Sequence, residues 1–196
     1  MKKIAIWGVG GCGSNIADLM RKSNDWEASQ LTYIDSCLFR SDRDTEQGTL
    51  FGEGLYFYLS YKERILTAHT LHNFDAVAKA VSSPTARDSI LHELQKYDAV
   101  IFISGTGGNM LAASSWLKLA QENAMPAHLF ISGPLKYEEG SFTPQQIAEI
   151  KRVKLLDGVT FIDSADLPLE KTSIPELLKL MDRKVMESVL ETVKAI

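Results

Sequence analysis

Residues 8–15, Gly8 to Asn15, read GVGGCGSN and place four glycines within six positions. An apolar stretch, KKIAIWGVG, runs into them, and an amphipathic one, SNIADLMRK, runs out. That order predicts strand, tight turn and helix, with backbone amides and a helix dipole gathered where they attract an anion. The stretch describes a cradle for a phosphate. Whose phosphate is a question for the rest of the chain.

Working outward, QLTYIDSC predicts a second strand through Leu31, Tyr33 and Ile34. From Leu38 to about Tyr61 no period is visible, and an excursion of that length inside a domain is uncommon and often functional. Helical patterning resumes at FDAVAKAVSS and, past Pro84, at TARDSILHELQKY. DAVIFISG is a continuous apolar run ending in glycines, the pattern of a parallel strand covered on both faces. A helix from about Leu111 to Glu122, a strand AHLFISG, a helix PQQIAEIKRVK and a strand GVTFIDSAD follow, and a long helix runs from about Pro175 onward. In the first helix Ile16, Leu19 and Met20 are expected on one apolar face. Alternating strands and helices predict an α/β fold, Rossmann-like and doubly wound, with a mainly parallel sheet and helices on both faces. With no linker or repeat in view, the expectation is one domain over residues 1–196.

Bulk properties narrow the function classes. The chain has 196 residues, 45% hydrophobic and 23% charged, with a net charge of −4. That length can bury a core without disulfides or metal. The acidic balance and the scattered Lys and Arg residues argue against nucleic acid or an anionic membrane as partner. Two cysteines, Cys12 and Cys37, have no His at ligand spacing, which argues against zinc and against a disulfide framework. The amino terminus reads as neither a signal peptide nor a membrane span, so a cytoplasmic location is expected. His69, His72, His92 and His128 are scattered and read as surface or core imidazoles.

Three ligands compete for the glycine loop. Gly8, Gly10 and Gly13 satisfy G-x-G-x-x-G, and Asp35 ends the next strand near where a ribose-binding carboxylate is expected, as in NAD-binding proteins. No hydride-transfer constellation accompanies them. GVGGCGS also looks like the adenylate loop of ThiF/MoeB-type activating enzymes, but SDRDTEQ only loosely echoes their next segment and no CxxC pairs follow. An unliganded strand–helix turn is the plainest alternative.

Four further stretches bear on the choice: VIFISGTGGNM, GPLKYEEG, VTFIDSADL and IPELLKLMDRKVMESVLETV. With GGCGSN at the front, their order and spacing resemble the nucleotide-binding domain of the tubulin/FtsZ superfamily. That family has a GGGGSN-like or GQCGNQ-like first loop, a second glycine loop after an apolar strand, and a proline with an (F/Y)-E-G segment. A long central helix follows. The resemblance implies GTP or GDP as ligand, with Mg2+ carried through its phosphates. It implies that Gly10, Gly11, Cys12 and Gly13 wrap the phosphates, with Asn15 turned toward guanine. Gly105, Thr106, Gly107, Gly108 and Asn109 would line the phosphate tail. Glu138 matches the ribose-contacting acid, and Asp182 the central-helix position that reads guanine. A carboxylate there accepts from guanine N1–H and the exocyclic amine together, a pair of donors adenine does not offer.

Three departures qualify that expectation. The second loop reads TGGNMLA where the family has GGGTGTG, so Met110 and Leu111 are expected to project where backbone would approach the phosphates. AHTLHN stands where the family has a glycine-containing loop over the γ-phosphate. The sequence also stops at KAI, at the end of what resembles the central helix, without the acidic loop that family members insert into a neighbour's site. On that pattern the chain is expected to hydrolyse GTP weakly at most by itself. It would cap or regulate a cytoskeletal filament of a full-length tubulin/FtsZ-like partner, self-associate, or act as a nucleotide-dependent switch. Loss of nucleotide binding, with the fold kept as an interaction platform, is the remaining alternative.

Overall fold

Strand β2, Ala99–Gly105, lies inside the sheet with every residue from Ala99 to Ser104 buried. It pairs in parallel with β1, Ile4–Val9, on one side and with β3, Ala127–Ser132, on the other. β4, Val159–Ile162, pairs in parallel with β3 and gives the strand order β1-β2-β3-β4. The computed structural model describes residues 3–22, 82, 84–135, 138–167 and 173–196. The strand expected at 30–37 with its Asp35, the 38–61 excursion and the helical pattern from Phe74 to Val81 lie outside the described residues.

Helices α1 (Gly10–Lys22), α2 (Pro84–Leu94), α3 (Gly108–Glu122), α4 (Pro144–Lys154) and α5 (Ile174–Ala195) cover both faces of the sheet. Side chains alternate across a strand, so each strand feeds two cores. On one face Ile4, Ile6, Ile101, Ile103 and Phe130 meet Ile16 and Met20 of α1 and Leu177, Met181, Val185, Val189 and Val193 of α5. On the other, Trp7, Phe102 and Leu129 meet Ile90 and Leu94 of α2, the apolar side of α3, and Val153 of α4. Trp7 is central there, edge-on to Phe102 at 5.6 Å and to Trp116 at 6.3 Å between ring centroids. This is the doubly wound α/β arrangement that the alternation predicted.

Individual boundaries follow local chemistry. Pro84 and Pro144 each occupy the first helical position, where a missing N–H costs nothing; the first opens α2 rather than merely separating two helices. Thr143 and Gln146 form a reciprocal capping box at α4: Thr143 Oγ1 accepts from Gln146 N–H at 3.3 Å and Gln146 Oε1 from Thr143 N–H at 2.8 Å. At α5, Glu176 Oε2 accepts from Ser173 N–H at 3.0 Å. The apolar face of α1 differs from expectation: Ile16, Ala17 and Met20 are buried, but Leu19 is 46% exposed. The stripe against the sheet is Gly13-Ile16-Ala17-Met20, and Leu19 lies a helical step of about 100° away from Met20.

The end of α3 offers a stability test. Ala124 follows the C-cap Asn123 with φ 56°, a left-handed conformation that costs a residue bearing Cβ. Ala124→Gly is expected to raise stability by about 0.5–1 kcal/mol, seen as a higher urea midpoint with an unchanged slope. A lower midpoint would show that this turn is not strained.

Candidate functional site

The helices leaving two adjacent strands part company. α1 leaves β1 on one face and α3 leaves β2 on the other. Where neighbouring connections diverge in this way, a crevice opens at the carboxyl ends of the strands, the usual ligand position in open α/β sheets. The register aligns Val9 with Ser104 and Gly105 with Ser132, so the ends of β1, β2 and β3 come level at one rim. Both glycine loops sit on that rim.

Packing separates the glycines by what each does. A Cβ on Gly13 would stand 1.9 Å from the Ile103 carbonyl oxygen, and one on Gly8 would stand 2.5 Å from the Gly13 carbonyl oxygen. Gly13 lets α1 lie directly on β2, and Gly8 lets α1 fold back closely on β1. Gly10 makes the turn, with φ +79°. Gly11 and Gly107, by contrast, are exposed, and among the described residues no packing neighbour lies within 4 Å of where a Cβ would be. Packing does not require glycine at either place, and both expose bare backbone at the start of a helix.

Those helix starts are electrostatically open. Neither α1 nor α3 has an acidic residue in its first turn, and Gly107 ahead of α3 makes no side-chain cap. At α4, Thr143 Oγ1 does that job by accepting from Gln146 N–H. The first amides of a helix are orphan donors at the positive end of its dipole, so two glycine-lined starts at one rim favour an anion.

The second loop corrects an expectation. Met110 and Leu111 do not project toward the rim; both are buried in the core under α3, at 0% and 5% exposure. α3 begins at Gly108, three residues earlier than its pattern suggested, so Met110 and Leu111 turn inward while Gly105, Thr106, Gly107 and Asn109 form the rim.

Cys12, Asp182 and Glu138, far apart in the chain, are close enough to interact. Burial pushes the Cys12 thiol up to about 11, the Asp182 and Glu138 carboxylates raise it further, and a hydrogen bond from Ser132 opposes them. At neutral pH Cys12 is therefore a thiol and a poor nucleophile. Asp182, partly buried on α5, is itself raised to about 6 by desolvation. Glu138 is exposed; its Oε2 accepts from Leu135 N–H at 2.8 Å, which fixes the loop after β3. Asn15 is exposed on α1.

The expected residues Gly10, Gly11, Cys12, Gly105, Thr106, Gly107 and Asn109 therefore meet at the rim, with Asp182 and Glu138 reaching its Cys12 flank. Gly13 is at the same turn but serves helix–strand packing. Asp35 lies outside the described residues. Ser132 was not foreseen, because a lone serine at a strand end carries no motif; its pairing with Gly105 brings it in. His128 is at the other end of β3, bonded to Thr160 at 2.9 Å and held below the usual imidazole range by burial. Among the described residues no group of three or more His, Cys, Asp or Glu could hold a metal ion. No described helix is long and apolar enough to cross a membrane.

The parallel sheet, the helices on both its faces and the long final helix make a tubulin/FtsZ-like α/β fold, and comparison with solved structures agrees. FtsZ from M. jannaschii superposes with a TM-score of 0.71 at 15% identity, over 99% of this chain and 55% of that one. CetZ from Methanosaeta thermophila gives 0.70 at 18% identity, over 100% and 55%. A TubZ protofilament from bacteriophage PhiKZ gives 0.61 at 11%, over 97% and 57%. No protein-family model and no curated protein sequence matches the chain. The chain spans about half the length of the solved structures it matches.

Proposed function

We propose that this chain is a guanine-nucleotide-binding module of tubulin/FtsZ-like fold. The observation that carries the reading is the pair of glycine-lined helix starts, α1 and α3, at the divergent ends of β1 and β2. In this reading the phosphates lie over Gly10, Gly11, Cys12 and Gly105–Asn109, where the amides at the helix starts and the dipoles offset their charge. Glu138 meets the ribose through the oxygen that Leu135 does not use. Asn15 and Asp182 face the base, and the Asp182 carboxylate accepts from guanine N1–H and N2–H. Mg2+ would ride on the phosphates and water, as that hard cation commonly does, without a protein cage.

The similar structures include an FtsZ dimer and a TubZ protofilament. By analogy we propose that the module works against another tubulin/FtsZ-like subunit, a full-length partner or a second copy, as a regulator or cap of a filament or as a nucleotide-dependent switch. Sedimentation with and without GTP would reveal assembly of the chain alone.

The first test is a thermal-shift series with GTP, GDP, ATP and NAD on purified protein, together with identification of any nucleotide that co-purifies. A guanine nucleotide at a hundred times its Kd is expected to raise Tm by about 5–10 °C. Selectivity for ATP or NAD would replace the reading with an adenylating or dinucleotide-binding one. No shift with any nucleotide would leave the fold as an interaction platform.

A further inference from the structure

The loop between β3 and α4 presents Glu138 as an exposed carboxylate, yet that carboxylate is tied to the interior through one residue. Glu138 Oε2 accepts from Leu135 N–H at 2.8 Å, and Glu138 N–H donates to the Leu135 carbonyl at 2.7 Å. Leu135 is buried in the core under α5. Directly before it stands Pro134, which has no N–H and offers its carbonyl as its one backbone handle. That carbonyl accepts from Ser164 Oγ at 2.8 Å. Ser164 is 1% exposed and opens the single 3-10 turn after β4. Its backbone is fixed in turn: Asp163 Oδ1 accepts from Ala165 N–H at 3.0 Å, and Leu167 N–H donates to the Ser164 carbonyl at 3.1 Å. One residue before Pro134, Gly133 N–H donates to the Ile162 carbonyl at 2.8 Å, and a Cβ on Gly133 would stand 2.7 Å from that oxygen. The β3–β4 ladder thus continues past both strands, and its last rung is the serine side chain.

We infer that Ser164 is a positioning residue for Glu138 and, through it, sets how well the site recognises the hydroxyls of a ribose; this rests on the guanine-nucleotide reading above and on the part it gives Glu138. The serine lies beneath the loop and acts through Pro134 and Leu135 without touching the sugar. With its hydroxyl removed, the Pro134 carbonyl would face a buried methyl group and lose its donor, a state proteins avoid. The loop would shift until that oxygen found water, and Leu135 would carry the Glu138 carboxylate with it. An exposed carboxylate binds a hydroxyl well when its place is set beforehand, because ordering it during binding costs affinity. The effect is confined to the sugar, since the two glycine loops and Asp182 stand on other elements.

Ser164→Ala, which removes one oxygen atom, tests this. Affinities for GDP and for 2′,3′-dideoxy-GDP, which lacks both ribose hydroxyls, are measured by calorimetry on the wild type, Ser164→Ala, Glu138→Ala and the double variant. The wild type is expected to prefer GDP about tenfold, in the range of a charge-assisted hydrogen bond. Ser164→Ala should lose most of that preference through weaker GDP binding, with dideoxy-GDP affinity within about twofold of wild type. In the Glu138→Ala background the serine change should have no further effect on GDP. Without ligand, amide exchange at Leu135 should quicken about tenfold or more in Ser164→Ala while β2 stays protected. If Ser164→Ala keeps the wild-type preference, or weakens GDP as much without Glu138 as with it, the inference fails and the nucleotide reading stands. A wild type that binds both compounds equally removes the ribose role of Glu138 and the inference together. If the wild type binds neither, the nucleotide reading fails and takes the inference with it. Ser164→Cys, close in size but a weaker donor, carries the same test should the alanine variant not fold.

Discussion

Gly13→Ala is expected to destabilise the chain by about 3 kcal/mol or more, enough to leave much of it unfolded at 37 °C. The added methyl would stand 1.9 Å from the Ile103 carbonyl oxygen, a backbone atom in the middle strand that cannot swing aside. Relief requires α1 to lift away from β2, and that strips Ile16 and Met20 from their core against Ile101 and Ile103. Gly11→Ala, two residues earlier, should behave in the opposite way. Its methyl meets no packing neighbour within 4 Å among the described residues, and alanine favours helix over glycine, so Tm should hold or rise slightly. The same methyl would stand where phosphate approaches the backbone, and the guanine-nucleotide thermal shift should disappear. Circular dichroism melts with and without GDP separate the two. A Gly13→Ala protein as stable as wild type would refute the packing role. A Gly11→Ala protein with an undiminished GDP shift would remove Gly11 from the site.

Asp182 is expected to make guanine affinity depend on pH. Desolvation on α5 raises its carboxyl from 3.8 to about 6, and only the ionised form accepts both guanine donors. GDP affinity should therefore be flat above pH 7 and fall about tenfold per unit below pH 6. Asp182→Asn should remove that dependence and lower affinity about 30–100-fold at pH 7, since an amide turns a donor toward a donor. Stability has the opposite sign. A carboxyl whose folded pKa is raised stabilises the fold fully below its ordinary range and loses that contribution as pH rises through 6. At pH 7 the free protein carries the cost of a partly buried charge, lessened by solvent screening of a carboxylate that is not fully enclosed. Asp182→Asn should therefore melt higher than wild type at pH 7, with the gap closing toward pH 4. A variant that binds GDP as wild type does would end the guanine-reader assignment.

Much of the architecture could be read from local pattern because the forces behind it are local. The unbroken apolar run Ala99–Gly105 could only be a strand covered twice, and Thr143-Pro144-Gln145-Gln146 announces a helix start in three separate ways. Leu19 was misjudged because the apolar stripe of α1 includes a glycine. Gly13 belongs to the buried face with no side chain to signal it, and this shifts the face away from Leu19. Met110 and Leu111 looked like intrusions into a phosphate loop until the start of α3 moved them inside. A helix that begins three residues earlier rotates every side chain after it, and loop sequence does not fix that rotation.

The sequence by itself determined a parallel α/β chain with two glycine loops, each placed between a strand and a helix, and with carboxylates at 138 and 182. It could not assign roles among the glycines, because Gly8, Gly11 and Gly13 are chemically identical until α1 packs, with Gly13 against β2 and Gly8 against the turn of α1 itself. Nor could it bring Ser132 to Cys12, or Ser164 across to Pro134; those approaches depend on strand register and on which face each helix takes. The tertiary structure decided them because a cradle for an anion is built from the ends of separate elements. Periodicity fixes what each element is, and only packing fixes where their ends meet.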